Sequence, residues 1–350
     1  MFSKSILNWY NENKRDLPWR NKPEAYFVWL SEIMLQQTRV AQGLPYYLRF
    51  VEEFPTVHDL AEASQEKVLK LWQGLGYYSR ARNLHDTAKV VSVNFGGIFP
   101  NNYKDLKKLK GVGDYTASAI ASIVYHEPVA VVDGNVYRVL SRFFGVETPI
   151  NSTEGVKQFK ALATKMLAEK SPGLYNQAIM EFGALHCKPK NPQCVTCPVQ
   201  SNCIAFQQNK AGELPVKLKK QKVRERFFNF LVFQDVKGQM LLQKRVEKDI
   251  WQHLYQFPLI ESKHNLTLAE IKKTALLDNE KKVLQSIKRW NENPIKHVLS
   301  HQKIWAIFWC VEVKKLPENI QNTQQIVNKQ ELVKFAVPVL MEKFINSKNG

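Results

Sequence analysis

Four cysteines crowd into residues 187–203 with the spacing Cys187-x6-Cys194-x2-Cys197-x5-Cys203, and a fifth, Cys310, stands apart. No other feature constrains the chain as much. Four thiolates on one short loop enclose either a tetrahedral zinc ion or a [4Fe–4S] cluster. Zinc ribbons usually carry two CxxC pairs separated by a longer insert, and only Cys194 and Cys197 form such a pair here, so the spacing favours the cluster. The N-terminus, MFSKSILNWYNENKRD, is polar and does not read as a leader. Without an oxidising compartment, a disulfide framework is not expected from five cysteines.

The formal charge is +18, from 50 Lys and Arg against 32 Asp and Glu. Such an excess repels itself unless a polyanion relieves it, and nucleic acid is the usual partner. The excess is densest in residues 208–226, which hold seven basic side chains against two glutamates. No apolar run approaches the length of a membrane span. A soluble cytoplasmic monomer with no membrane partner is expected, nucleoid-associated if the source is bacterial.

The length of 350 residues suits two domains. Up to Cys203, apolar residues recur three and four apart, as in Ile6, Leu7 and Tyr10, then Val28, Trp29, Ile33 and Met34. Prolines 18, 45, 55, 100, 128, 149 and 172 punctuate the pattern, which predicts short helices and little sheet over 1–207. The basic stretch 208–226 lacks a hydrophobic period and reads as a linker. Beyond it the period becomes two, at Phe228, Phe230 and Val232, then Met240 and Leu242, around the turn Asp235-Val236-Lys237-Gly238. A helical stretch near 267–289 and a strand from Ile304 to Val313 complete an expected α+β domain over 227–350.

Two segments carry candidate chemistry. LKKLKGVGDYTASAIA (106–121) runs an amphipathic segment into Gly111-Val112-Gly113 and then a helix of small residues. Glycines permit the tight turn, and the amides opening the next helix form a site for a phosphate oxygen. Some twenty residues on, VVDGNV places Asp133 after an apolar run and before a glycine. There it either caps a helix or faces a sugar that develops positive charge.

With the cysteine spacing, these segments resemble the helix–hairpin–helix DNA glycosylase superfamily that carries an iron–sulfur loop. Within it the chain is most similar to the A/G-specific adenine glycosylases, through LPWR (17–20), WLSEIMLQQT (29–38), LWQGLGYYSRARNL (71–84), GVGDYTA, VVDGNVYRVL and the four cysteines. Residues 227–350 resemble that family's Nudix-like domain. The resemblance implies an all-α catalytic core with a [4Fe–4S] cluster on Cys187, Cys194, Cys197 and Cys203. It also implies a Nudix-like lesion reader, and as partner duplex DNA with adenine opposite 8-oxoguanine.

The roles it implies are these. Glu32, flanked on a helix by Val28, Trp29 and Leu35, is the acid that protonates the leaving base, its pKa raised by burial. Asp133 is the electrostatic stabiliser of the sugar or a transient nucleophile. Tyr115 stands where lyase relatives carry a Schiff-base lysine; a phenol forms no imine, so a monofunctional enzyme is expected. Arg15, Arg20 and Gln177 line the adenine pocket, unless Arg20 pairs with a surface carboxylate instead. Gln37, Leu75 and Tyr77 wedge into the duplex, and Gln37 and Thr38 also contact the lesion. Arg80, Arg82, Gly111 and Gly113 meet the DNA backbone, and Ser300 and His301 sense 8-oxoguanine, with Leu299 where an aromatic is common. The segment TLAEIKKTALLDNEKKVL lacks the carboxylate set of a Nudix hydrolase, so no pyrophosphohydrolase activity is expected.

Overall fold

The computed structural model describes residues 2–218, 223–278, 280, 282–317 and 320–347. The chain divides into two compact units, Met1–Glu62 with Asn83–Lys220, and Ala63–Arg82 with Gln221–Gly350. Among the described residues no helix is long and apolar enough to cross a membrane.

The first unit is helical, as its three-and-four spacing predicts. Helix Ala25–Met34 is apolar nearly all round, and every residue from Tyr26 to Met34 is buried. Helices Phe2–Asn13, Gly134–Phe144 and Pro172–Leu185 share one core, built on Ile6, Tyr10, Val136, Leu140, Tyr175, Ile179 and Phe182. Gly111 in the hairpin has φ +78°, and a Cβ there would lie 2.9 Å from the Asn83 Cβ, so the turn needs glycine. Gly113 caps helix Asp114–Val124, and a Cβ there would meet open space.

Residues 208–218 of the expected linker are held to the helical unit. Leu214 is buried, its carbonyl accepts from Arg142 Nε at 3.1 Å, and the Val216 carbonyl accepts from the Ile150 amide at 3.0 Å. The charge run masked these contacts, because its few apolar residues, Leu214 and Val216 among them, follow no hydrophobic period. Residues 219–222 lie outside the described residues, and a strand has begun by Arg224.

The second unit is built on a mixed sheet of eight strands: β1 (Arg224–Asp235), β2 (Gln239–Lys244), β3 (Tyr255–Gln256), β4 (Leu259–Ser262), β5 (Leu284–Arg289), β6 (Ile295–Val298), β7 (Gln302–Val313) and β8 (Gln324–Asn328). β1 and β7 pair in parallel along their whole length, Arg224 opposite Gln302 and Asp235 opposite Val313. Both faces of this central pair are covered, which explains their near-continuous apolar runs. Leu231, Ile307 and Trp309 pack on one side. On the other, the Phe308 ring stacks on Phe344 at 4.8 Å. The predicted turn joins β1 to β2, with Gly238 at φ +78°.

Two expectations fail here. Among its described residues the stretch 267–289 holds the single-turn helices Leu268–Ile271 and Ala275–Asp278, and its end is β5, paired antiparallel with β7. Residues 63–82, expected in the helical domain, cluster with the sheet. Glu66 accepts from Lys244 Nζ at 2.8 Å and from the Tyr255 hydroxyl at 3.0 Å, while Lys70 Nζ donates to the Phe335 carbonyl at 3.0 Å.

Candidate active site

A cleft of about 980 Å³ in the first unit is bordered by Arg15, Arg20, Glu32, Gln37, Thr38, Tyr115 and Asp133, among others. Residues from both ends of the unit's sequence therefore meet at one place. Behind it a cavity of about 40 Å³ touches Glu32, Arg20, Trp19, Met180 and Gln177, so Gln177 joins the same locality.

Glu32 is 8% exposed on its apolar helix. Burial pushes its pKa up to about 7; a hydrogen bond from Tyr115 and the charge of Arg20 pull it down, and the nearby Asp133 adds to the rise. Tyr115 rides on helix Asp114–Val124, and its hydroxyl also reaches Met180 Sδ at 3.3 Å.

Asp133 caps helix Gly134–Phe144. Its Oδ1 accepts from the amides of Asn135 at 2.9 Å and Val136 at 2.8 Å, and its Oδ2 from Asn135 Nδ2 at 2.8 Å. Burial raises its pKa, opposed by those hydrogen bonds and by Arg138. Three N–H groups aimed at its oxygens, together with the positive end of the helix, suit the anion and leave the acid's proton no acceptor among them. Glu32 has no such ring of donors. Of the two carboxyls, Glu32 therefore has the surroundings that favour the protonated form more.

The segment leading to Asp133 is pinned by a residue that sequence reasoning missed. Buried Asn176 accepts from the Val131 amide at 3.2 Å and donates to the Val129 carbonyl at 2.8 Å. Arg138, on the same helix as the cap, donates to the carbonyls of Cys187 at 2.7 Å and Gly183 at 2.6 Å, tying that helix to the cysteine loop.

Arg15 and Arg20 border the cleft but are not free within it. Both donate to Glu181, Arg15 from Nε at 2.8 Å and Nη2 at 2.6 Å, Arg20 from Nη1 at 3.1 Å and Nη2 at 2.9 Å. Burial would raise the Glu181 pKa, yet the hydrogen bonds from the two arginines and the charge of Arg20 hold it at about 2. Arg20 does pair with a carboxylate, but with a buried acid on the cleft wall and not the surface one that the alternative expected. The one sequence signal was a glutamate among Tyr175, Ala178, Ile179 and Phe182, all buried positions of one helix.

The four loop cysteines line a single cavity whose other walls include Val139, Phe143, Phe182 and Val199. None is in a disulfide. Arg142 Nη1 lies 3.4 Å from Cys187 Sγ and donates to the Lys188 carbonyl at 2.7 Å. Burial and the neighbouring cysteines push the Cys197 thiol up to about 11, against a backbone hydrogen bond that lowers it. Four uncombined thiols around one largely apolar cavity, with a cation beside them, fit an anionic thiolate-ligated cluster. Among the described residues no three His, Cys, Asp or Glu side chains gather as ligands of a single metal ion.

Two family models match the chain: the HhH-GPD superfamily of base excision DNA repair proteins over residues 30–165, and the NUDIX domain over residues 229–347. The adenine DNA glycosylase of Buchnera aphidicola subsp. Schizaphis graminum is 37% identical over 327 residues, covering 93% of this chain and 91% of its own. The chain belongs to the adenine DNA glycosylase family. The mouse member of the family is 47% identical over 222 residues, 61% of this chain and 43% of its own. Among solved structures, a thermostable thymine-DNA glycosylase superposes with a TM-score of 0.55 at 29% identity, over 59% of this chain and 95% of that one. Base-excision glycosylases of this fold commonly carry a [4Fe–4S] cluster, and the cysteine cavity fits one.

Measured against what the family resemblance implies, the other residues divide. Gln37 is exposed with φ +56°, and Tyr77 is 46% exposed with φ +50°. The Tyr77 hydroxyl lies 2.7 Å from Ser300 Oγ, and Ser300 and His301 form the exposed turn between β6 and β7. Leu75 corrects the expectation of a wedge: it is 3% exposed and part of the core. Arg80 is also buried, donating to the Gly76 carbonyl at 3.1 Å and lying over the Trp72 and Tyr77 rings. Burial lowers its pKa to about 10, which leaves it charged near neutrality but enclosed beneath the surface. Arg82 is half-buried and donates to the Gln252 carbonyl at 2.9 Å.

Proposed function

We propose that the chain hydrolyses the N-glycosidic bond of adenine opposite 8-oxoguanine or guanine in duplex DNA, leaving an abasic site and an intact strand. One observation carries this reading: Glu32 and Asp133 border one cleft, Glu32 on a buried apolar helix and Asp133 ringed by three N–H donors. Adenine turned out of the stack enters the cleft, where unstacking costs a few kcal/mol and a mispair lowers that cost. Glu32 gives its proton to a ring nitrogen of the base, so the base leaves neutral with the bonding electron pair. The Asp133 carboxylate faces the oxocarbenium-like sugar, and water bonds to the same carbon, its spare proton passing to the Glu32 carboxylate left by the first step. Tyr115, hydrogen-bonded to Glu32, orients the acid and offers no amine for strand cleavage.

In this reading Arg15, Arg20 and Gln177 form the wall against which adenine lies. Gln37 and Tyr77 fill the hole in the duplex, Gly111 and Gly113 offer amides to the backbone, and Thr38, Ser300 and His301 contact the opposite lesion. Cys187, Cys194, Cys197 and Cys203 hold a [4Fe–4S] cluster, which when bound supplies a structural staple for the loop carrying Lys188 and Lys190.

A single-turnover assay on duplexes containing A opposite 8-oxoguanine, A opposite G, and thymine glycol tests the proposal. Adenine release from the first two, without a borohydride-trapped protein–DNA adduct, is expected. Release from thymine glycol with a trapped adduct overturns it in favour of a glycosylase/lyase.

A further inference from the structure

The strongest buried charge cluster outside the carboxyl pair is the one at Glu181. Its side chain is 2% exposed and receives four side-chain hydrogen bonds from Arg15 and Arg20, plus the Arg15 amide at 3.0 Å. Arg20 Nη1 also donates to the Arg15 carbonyl at 2.9 Å, so the two arginines and the acid form one unit. All three border the cleft of Glu32 and Asp133, and Arg20 also touches the small cavity behind Glu32.

We infer that Glu181 is a positioning residue for base excision, fixing Arg15 and Arg20 as a paired wall beside Glu32 and cancelling charge that would otherwise ionise the acid. The inference rests on the reading of Glu32 as the proton donor. The geometry gives two reasons. Arginine side chains are long and lose much rotamer freedom on ordering, and a bidentate carboxylate fixes the guanidinium plane. A cation beside a carboxyl favours its anion, which is the wrong state for an acid catalyst. The groups acting on Glu32 are Tyr115, Asp133 and Arg20. The same cleft also has Arg39, Lys188 and Lys190 on its wall, and among the described residues that line it Glu181 is the one acid besides the pair. Without Glu181 the balance around Glu32 tips toward positive.

The test is the pH dependence of single-turnover adenine release by full-length, cluster-containing protein, with DNA affinity measured alongside. A protonated Glu32 is required, so the rate falls as pH rises through its pKa. Glu181→Gln leaves Arg20 uncompensated and lowers that pKa. Its alkaline limb is expected at least about half a pH unit below wild type, with excision at least about tenfold slower near neutrality. Glu181→Asp keeps the charge and is expected to keep the wild-type limb. A limb for Glu181→Gln that coincides with wild type overturns the inference, however slow the variant is. Should that variant fold poorly, Arg20→Gln makes the opposite test: losing the cation raises the limb, and an unmoved or lowered limb overturns the inference. A wild-type protein that releases no adenine sinks the proposed function itself, and is thereby distinguished from failure at Glu181.

Discussion

Replacing Glu32 by glutamine removes an ionisable proton from a buried site at almost constant shape, and the energetic consequence can be worked out from its surroundings. Burial carries its pKa from the ordinary glutamate value of 4.5 to about 7. That rise amounts to about 3 kcal/mol between the two protonation states. A carboxyl whose pKa rises on folding binds its proton more tightly in the native state. Its contribution is therefore fully present below the unfolded pKa and lost as pH climbs through the folded one. Native protein thus carries little penalty near pH 4.5, about 1 kcal/mol near pH 5.5, and the full value of about 3 kcal/mol near pH 8.5. Glu32→Gln carries none of it. The variant should outlast wild type in thermal melts of the helical unit by roughly 6–12 °C near pH 8.5, and by about half of that or less near pH 5.5. These are upper values, since a cleft open to solvent relaxes around a new charge. The assay is thermal unfolding at both pH values with cluster content matched. A stability gap that does not widen with pH, or a variant less stable than wild type near pH 8.5, refutes the reasoning.

Asp133→Asn keeps a side-chain oxygen at the helix N-cap, so stability should stay within about 1 kcal/mol of wild type. Adenine release in single turnovers should fall by about a hundredfold or more, with affinity for the mispaired duplex retained. Cys197→Ala should purify with little iron and sulfide and melt at lower temperature than wild type; zinc in place of iron in wild-type protein would reassign the cavity. Ser300→Ala removes one hydroxyl at the β6–β7 turn and should reduce the preference for A opposite 8-oxoguanine over A opposite G by about fivefold, the value of one net hydrogen bond. Competition between the two duplexes measures it.

Much of the catalytic cleft was legible because its signals are local. The apolar neighbours of Glu32 at helical spacing were compatible with burial, which the family resemblance implied, and a carboxylate before Gly134 left a cap as one of two readings. The glycines of LKGVG foretold a tight turn, with Gly111 in the left-handed region. Non-local pairings were illegible. Glu181 meets Arg15 and Arg20 across some 160 residues of sequence, and Asn176 meets Val131 across 45. β5 exists because β7 offers it an edge, which its own residues LQSIKR do not announce. Leu75 and Arg80 were misread because the positive-φ turn at Gly74, Gly76 and Tyr77 folds both side chains inward and leaves Tyr77 outside.

The most direct measurement is the rate of adenine release from a duplex with A opposite 8-oxoguanine, followed from about pH 5 to pH 9 under single-turnover conditions. A proton-bearing Glu32 predicts a wild-type rate that declines about tenfold per pH unit above pH 7, and a slow, pH-independent rate in Glu32→Gln. A wild-type rate flat across that range, or a glutamine variant as fast as wild type, contradicts the account.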